Sequence, residues 1–536
     1  MEHRRDVVVV GAGMAGMCAL HHLRIAGFRA VVLERGDGIG GTWFWNRYPG
    51  ARCDVPSLEY SFGFDEDLQQ EWEWSEVFPA QPELLRYLDH VADRFDLRRD
   101  IRLGRAVERA VWDDDSSTWT VHTDDGDAWI APFVIMGTGC LSIPIDPQFE
   151  GLEDFAGPVV RTSMWPEEGV DVRGLRVGVI GTGSSGIQVV PELAKDVGEL
   201  TVFQRTATYT WPSYNGPLDP EVQRRTKADY AALRKQQREI PGGTTAQTGA
   251  IILQTAEDRT IADSTPEERA EVLERLGWGA SRAWTDTIRD RAANEMACDL
   301  YREMVRRTVD DPAVAERLSP HDFPIGCKRP VIDSGWFETF NRPNVHLVSL
   351  RDEPIVRFEP DGIRTSRRLV ELDLVVLAIG FDAMTGALDR IDIRGRDGAV
   401  LREQWSEGPR TYLGLQMAGF PNLFTVTGPG SPSVLSNMIV GIEHHVEWIV
   451  QCLTDLREQG RTTIEPTADA QEAWVEHVRA VAQGTMFVDS GCNSWYLGVN
   501  VPGKRRVFLP YVGGFDRYVR ETARIVDAGY EGFAIA

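Results

Sequence analysis

The chain has 536 residues, and 57 Lys and Arg against 81 Asp and Glu leave a formal charge of −24. That length holds roughly three domains with self-sufficient cores, and the negative balance excludes nucleic acid and anionic membrane surfaces as partners, since both select basic patches. No apolar run approaches the roughly 18 residues of a membrane helix, and the seven cysteines, none in C-x-x-C, fit a reducing cytoplasm and weigh against a catalytic dithiol.

Met1 to Asp6 runs directly into an apolar strand, Val7 to Val10, so no signal peptide is expected. Gly11, Gly13 and Gly16 follow at G-x-G-x-x-G spacing, then a helical pattern, then A-V-V-L-E ending in Glu34. This is the strand, turn and helix of a dinucleotide site, in which the glycines tighten the turn and let the backbone approach a pyrophosphate at the helix N-terminus. An acidic strand end suits a free ribose 2′-hydroxyl, as in FAD. Ile39 to Val55, I-G-G-T-W-F-W-N-R-Y-P-G-A-R-C-D-V, has neither helical nor strand periodicity and reads as a loop. Its rings Trp43, Phe44, Trp45 and Tyr48 need a partner, and after a FAD-type unit the isoalloxazine is expected in preference to the core.

Pro82 to Phe95 has helical spacing, whereas Arg109 to Val121 and Ala128 to Met136 alternate as strands. Val134 to Gly139 ends a strand in a glycine turn near the first site. Arg176 to Arg205 repeats the design, with Val177 to Ile180, then Gly181, Gly183 and Gly186, a helix, and Leu200 to Phe203. Gln204 and Arg205 now stand at the strand end, and a cation suits a 2′-phosphate, so NADPH is expected here. Either glycine set alone is also that of an ordinary tight turn. Two sets with opposite strand ends point to a flavoprotein that takes hydride from NADPH.

Asp219 to about Ala315 is charged and helical in pattern, and reads as an insertion. Leu374 to Asp382 closes the second nucleotide unit, and Gly428 to Val440 is a turn leading into a helix whose N-terminus is expected to face the flavin. Val488 to Pro510, with Trp495 and Tyr496, is expected to be a mobile lid. No His and Cys cluster has metal-ligand spacing. The expected fold is α/β, with two Rossmann-like dinucleotide-binding domains and a helical insertion. Residues 1–150 and 386–536 form a discontinuous FAD domain, 151–215 and 326–385 the NADPH domain, and 216–325 the insertion. Ala156 to Pro166 is one of two linkers between the domains.

At this point the motifs resemble those of a known family, the type I Baeyer–Villiger monooxygenases. The carriers are G-G-T-W-F-W-N-R-Y-P-G-A-R-C-D (Gly40 to Asp54), G-T-G-S-S-G-I-Q (Gly181 to Gln188) and F-Q-R-T (Phe203 to Thr206). G-C-K-R-P (Gly326 to Pro330), G-P-G-S-P-S-V-L-S-N-M (Gly428 to Met438) and S-W-Y-L-G-V-N-V-P-G-K (Ser494 to Lys504) continue in the same order over nearly the whole chain. One departure stands in the fingerprint F-x-G-x-x-x-H-x-x-x-W-P. Phe155, Gly157, Trp165 and Pro166 fit, but Arg161 occupies the histidine position in the linker, which puts turnover and domain coupling in question more than reaction type. A smaller one is Ile379, where relatives commonly carry threonine.

The resemblance implies NADPH- and O₂-dependent oxidation of a ketone to an ester or lactone through a flavin C4a-peroxide. It assigns catalysis to Arg329, a cation that cannot lose its proton, held by Asp54. For FAD it implies Gly11, Gly13, Gly16, Glu34, Thr42, Trp43, Phe44, Trp45, Asp54, Tyr60, Val107 and Met438. For NADPH it implies Arg52, Cys53, Asp54, Gly181, Thr182, Gly183, Ser184, Ser185, Gly186, Ile187, Gln188, Arg205, Thr206, Lys328, Arg329 and the lid residue Trp495. The apolar or small Ser433, Val434, Leu435 and Met438 lie on the substrate side, so a hydrophobic ketone is expected. The rival is an N-hydroxylating or S-oxygenating flavin monooxygenase, whose electrophilic oxygen requires no arginine. The Asp54 and Arg329 pair discriminates between them.

Overall fold

The computed structural model describes residues 1–245, 259–489 and 491–536. In chain order, β1 (Val7–Val10), α1 (Met14–Ile25), β2 (Ala30–Leu33), β3 (Ile101–Arg102) and β4 (Phe133–Met136) build the first unit. Next come β5 (Val159–Arg161), β6 (Arg176–Ile180), α2 (Ser184–Leu193), β7 (Glu199–Gln204), β8 (Val345–Ser349) and β9 (Leu374–Leu377). The chain then returns with β10 (Leu423–Thr425) and the 21-residue α3 (Met438–Glu458).

These strands form two parallel five-stranded sheets, ordered β10-β4-β1-β2-β3 and β8-β7-β6-β9-β5. Parallel strands are covered on both faces, which is why β1, β2, β4 and β9 are continuous apolar runs buried along their whole length. In both sheets the glycine-rich turn follows the central strand and opens the helix packed on it. Ligand crevices of such sheets lie at the carboxyl ends of the strands. A third sheet joins residues 2–4, 128–131, 118–123, 107–113 and 392–394, so a strand late in the chain completes a sheet begun at its start. Helices at 220–228, 230–239, 266–276, 291–308 and 312–318 fill the charged insertion, of which residues 246–258 lie outside the described residues.

Two expectations are corrected. The aromatic stretch expected to be an irregular loop contains a helical turn, Thr42–Trp45, which buries Trp43. Cys327 and Cys492, 165 residues apart, are joined as a disulfide, while the other five cysteines are free. Pairing over that distance leaves no trace in local spacing. The segment expected to be a mobile lid is tied to the 381–389 stretch by two side chains. Lys504 Nζ donates to Asp382 (2.5 Å), Thr385 (2.6 Å) and Asp389 (2.9 Å), and Asn500 donates to the Phe381 carbonyl at 2.7 Å. Among the described residues no helix is long and apolar enough to cross a membrane.

Candidate active site

The two glycine turns are built alike. Gly181 has φ +110°, and a Cβ there would lie 2.3 Å from the Ala378 carbonyl oxygen, so only glycine permits both the turn and its contact with β9. A Cβ on Gly186 would sit 2.1 Å from the Gly181 carbonyl oxygen, and Gly16 stands 1.8 Å from that of Gly11 by the same measure. These glycines press helix on turn. The middle ones differ. A Cβ on Gly13 would lie 3.4 Å from the Gly41 Cα, whereas among the described residues nothing lies within 4 Å of a Cβ on Gly183. Gly183 caps α2 without a side-chain hydrogen bond, leaving its first N–H groups, with Ser184 exposed and Ser185 half-buried, facing open space. That arrangement suits a pyrophosphate.

At the two strand ends the charges are opposite. Glu34 is buried, accepting from the backbone N–H of Ala12 (2.7 Å) and of Gly36 (2.8 Å). Each carboxylate oxygen keeps acceptor capacity for a ribose hydroxyl. Arg205 is exposed beside Lys328, and burial, then the Arg205 charge, pushes the Lys328 ammonium down to about 8. Lys328 also lies 4.2 Å from the centre of the Phe323 ring. Two cations held close enough to disfavour each other fit an anion such as a 2′-phosphate. Thr206 contributes its carbonyl oxygen, which accepts from the Thr182 hydroxyl at 2.9 Å and ties the strand end to the turn.

Between the turns lies the arginine expected from the sequence. Arg329 donates to both oxygens of Asp54, Nε at 2.6 Å and the second fork nitrogen at 2.8 Å, and its remaining nitrogen donates to the Val434 carbonyl at 2.6 Å. Burial opposes the guanidinium charge, but the Asp54 carboxylate outweighs it and holds Arg329 above the ordinary arginine value. Both side chains stay about a quarter exposed, at 28% and 27%, so the fork is fixed yet open on one side. Burial pushes the neighbouring Tyr496 phenol up to about 12, and the buried Cys53 thiol is raised likewise. Neither supplies a competing anion.

Around Arg329 an apolar cluster collects Met384, Val434, Tyr496, Leu497 and Phe508, with Leu435, Met438, Phe487 and Trp495 packed against it. Trp495 stands 4.4 Å from the Tyr496 ring. Ser433 has φ +43°, and its hydroxyl donates to the Thr427 carbonyl at 3.0 Å. The disulfide joins Cys327, next to Lys328, to Cys492, three residues before Trp495. Trp43 meets Tyr60 edge-on at 6.0 Å, near Asp54 and Arg329. Phe44 and Trp45 instead pack on Gly36 and Gly38 beyond Glu34, under the guanidinium groups of Arg47 and Arg35. Both rings therefore lie beside Glu34, at the strand end of the first turn.

Other expected residues have partners within the fold or stand exposed. Ile187 is fully buried and its N–H donates to the Gly183 carbonyl. Val107 packs on the core beneath β1. Gln188 accepts from the Tyr48 hydroxyl at 2.7 Å and donates to the Arg52 carbonyl at 3.0 Å, pinning the aromatic segment to α2. Arg52 is paired with Glu76 and the Phe78 carbonyl. Thr42 is exposed at the start of its helical turn. Arg161 donates to Asp146 at 3.3 Å across the linker. Sequence reasoning missed the anchoring role of Lys504, whose only signal was its place in the P-G-K motif.

A family described as pyridine nucleotide-disulphide oxidoreductase matches residues 8–251. Cys327 and Cys492 lie outside that segment. The chain is 42% identical over 540 residues to an acetone monooxygenase (methyl acetate-forming) of Gordonia sp., covering 99% of each. It is 37% identical over 534 residues to a Baeyer-Villiger monooxygenase of Pseudooceanicola batsensis, covering 98% of this chain and 95% of that one. An oxidised steroid monooxygenase bound to NADP matches at TM-score 0.92 and 48% identity, over 99% of both chains.

Proposed function

The chain belongs to the Baeyer–Villiger monooxygenases, and from that premise we propose that it oxidises a hydrophobic ketone to an ester or lactone with FAD, NADPH and O₂. The observation that carries this reading is the fork of Arg329 on Asp54, opening onto an apolar cluster. The chemistry supplied by bound FAD would be hydride acceptance from NADPH and activation of O₂ beside the ketone carbonyl.

The chain's own residues do the rest. Arg329 supplies a fixed positive charge where negative charge develops on attacking and carbonyl oxygens, and such preorganised charge is the largest lever available to a site of this kind. Its proton is held throughout, so it orients and stabilises without titrating. Asp54 and the Val434 carbonyl keep the fork from turning. Arg205 and Lys328 take the 2′-phosphate of NADPH, the open turn at Gly183 takes its pyrophosphate, and Trp495 covers the cofactor. Glu34 and the first turn hold FAD. Leu435, Phe487 and Trp495 exclude water and favour apolar ketones. The cytoplasm, where NADPH is supplied, is the compartment this reading implies.

Purified protein loaded with FAD is incubated with NADPH and a panel of linear, cyclic, aromatic and steroid ketones, and products are identified by gas chromatography and mass spectrometry. Ester or lactone from apolar ketones is expected. Turnover confined to charged ketones contradicts the pocket assignment, and turnover confined to amines or sulfides contradicts the reaction.

A further inference from the structure

Arg329 rests on the Val434 carbonyl, so what fixes the Thr427–Met438 loop also fixes the arginine. Thr427 opens that loop just beyond β10 with φ +53°, a conformation that a β-branched residue adopts only when its surroundings hold it there. Both of its backbone groups are held. The carbonyl accepts from the Ser433 hydroxyl at 3.0 Å, and the N–H donates to Nδ1 of His445 at 2.9 Å. His445 lies on α3, two turns beyond the loop, and is buried at 1% exposure.

The direction of each hydrogen bond follows from its neighbours. Nδ1 accepts, so it carries no proton. The Tyr518 hydroxyl spends its proton on the Leu413 carbonyl at 2.6 Å. Nε2 of His445, 2.9 Å from that hydroxyl oxygen, must therefore be the protonated nitrogen and donate. Burial, with His444 adjacent, pushes the imidazole well below its ordinary value, which agrees with a neutral ring of one fixed tautomer. The chain runs from Leu413 through Tyr518 and His445 to Thr427, and through Ser433 and Val434 to Arg329. Each link is a hydrogen bond or a peptide bond.

We propose that His445 is a positioning residue for the oxygen-transfer site: its Nδ1 holds the Thr427 N–H and thereby sets the loop whose Val434 carbonyl anchors Arg329. This deepens the function proposed above and rests on it for its catalytic consequence, while the geometric part stands independently. Asn places an acceptor where Nδ1 was and nothing at Nε2, whereas Gln places an amide at Nε2 and nothing at Nδ1. His445→Asn therefore retains the hold on Thr427, and His445→Gln and His445→Leu lose it.

The test is hydrogen–deuterium exchange of FAD-loaded protein, read on peptides spanning Thr427 to Leu435, together with the ratio of ester formed to NADPH consumed. Losing one buried hydrogen bond is expected to speed exchange of the Thr427 amide roughly tenfold in His445→Gln and His445→Leu and to divert oxygen to free hydrogen peroxide, with His445→Asn near wild type. Exchange unchanged in all three, or Asn and Gln equally affected, overturns the proposal, because a packing role follows side-chain volume and not acceptor position. If the His445 variants do not fold, Tyr518→Phe removes the group that orients the ring and is expected to speed the same amide several-fold. No change there also overturns it. Failure of wild-type protein to make any ester defeats the function reading instead and leaves the exchange result to stand alone.

Discussion

The first and second glycine turns use one backbone device for opposite purposes. At the first, Gly13 is faced by Gly41, Glu34 is buried between two backbone N–H groups, and Phe44 and Trp45 close over Gly36 and Gly38. At the second, Gly183 faces open space and the strand ends in an exposed Arg205 beside Lys328. A covered, acidic site suits a cofactor that stays, and an open, cationic site suits one that must arrive and leave each cycle. Specificity in such a pair resides in what surrounds the turn, since the turn geometry is nearly the same in both.

Arg329 stands where the two halves meet, and its loss should separate binding from chemistry. Arg329→Met is expected to lower ester formation by about 10²- to 10³-fold, the scale of removing one charge-stabilising donor. Absorbance titrations should show FAD and NADPH still binding. Exchanging the strand-end character tests the contrast directly. Arg205→Glu should reduce the preference for NADPH over NADH by about 10²-fold, measured as the ratio of the two kcat/KM values. The pH profile sharpens this point. Lys328, pushed down to about 8 by burial and by Arg205, loses its charge as pH rises through that value, so kcat/KM for NADPH should fall there while that for NADH stays flat. Arg205→Ala removes the like charge and should move that fall to higher pH.

At the covered turn, Glu34→Ala leaves the Ala12 and Gly36 N–H groups without their acceptor and should weaken FAD retention by roughly tenfold in equilibrium dialysis. The smallest effect is expected in the linker. Arg161 pairs with the largely exposed Asp146, a contact worth about 1 kcal/mol or less. Arg161→His should therefore leave thermal stability almost unchanged and alter turnover about two- to threefold in steady-state assays.

Much of this was legible in the sequence because it is written locally. Each glycine set, its following helix and its strand end fall within about 30 residues, and the chemistry of Glu34 against Arg205 needs no tertiary knowledge. The K-R pair and Asp54 were legible only through the resemblance, for nothing in local spacing shows that residues 275 positions apart share a fork. What escaped notice is long-range or depends on orientation. Cys327 and Cys492 are 165 residues apart, and the ties of Lys504 to Asp382 and Asp389 reach back 122 and 115 residues. Phe44 and Trp45 diverge from Trp43 because one helical turn points successive side chains in different directions. His445 reads as one more buried position of α3 until Thr427 is seen to hold its unusual backbone against it.

The proposed reaction depends on Arg329 as the charge that turns bound oxygen toward a ketone carbonyl. The most direct test gives wild type and Arg329→Met, both loaded with FAD, NADPH, an accepted ketone and ¹⁸O₂, and follows the label by mass spectrometry. The predicted result is one labelled oxygen in the ester from wild type. In the variant, NADPH should still be consumed, but the label should appear in hydrogen peroxide with almost none in ester. Labelled ester formed by the variant at a rate near wild type would contradict it.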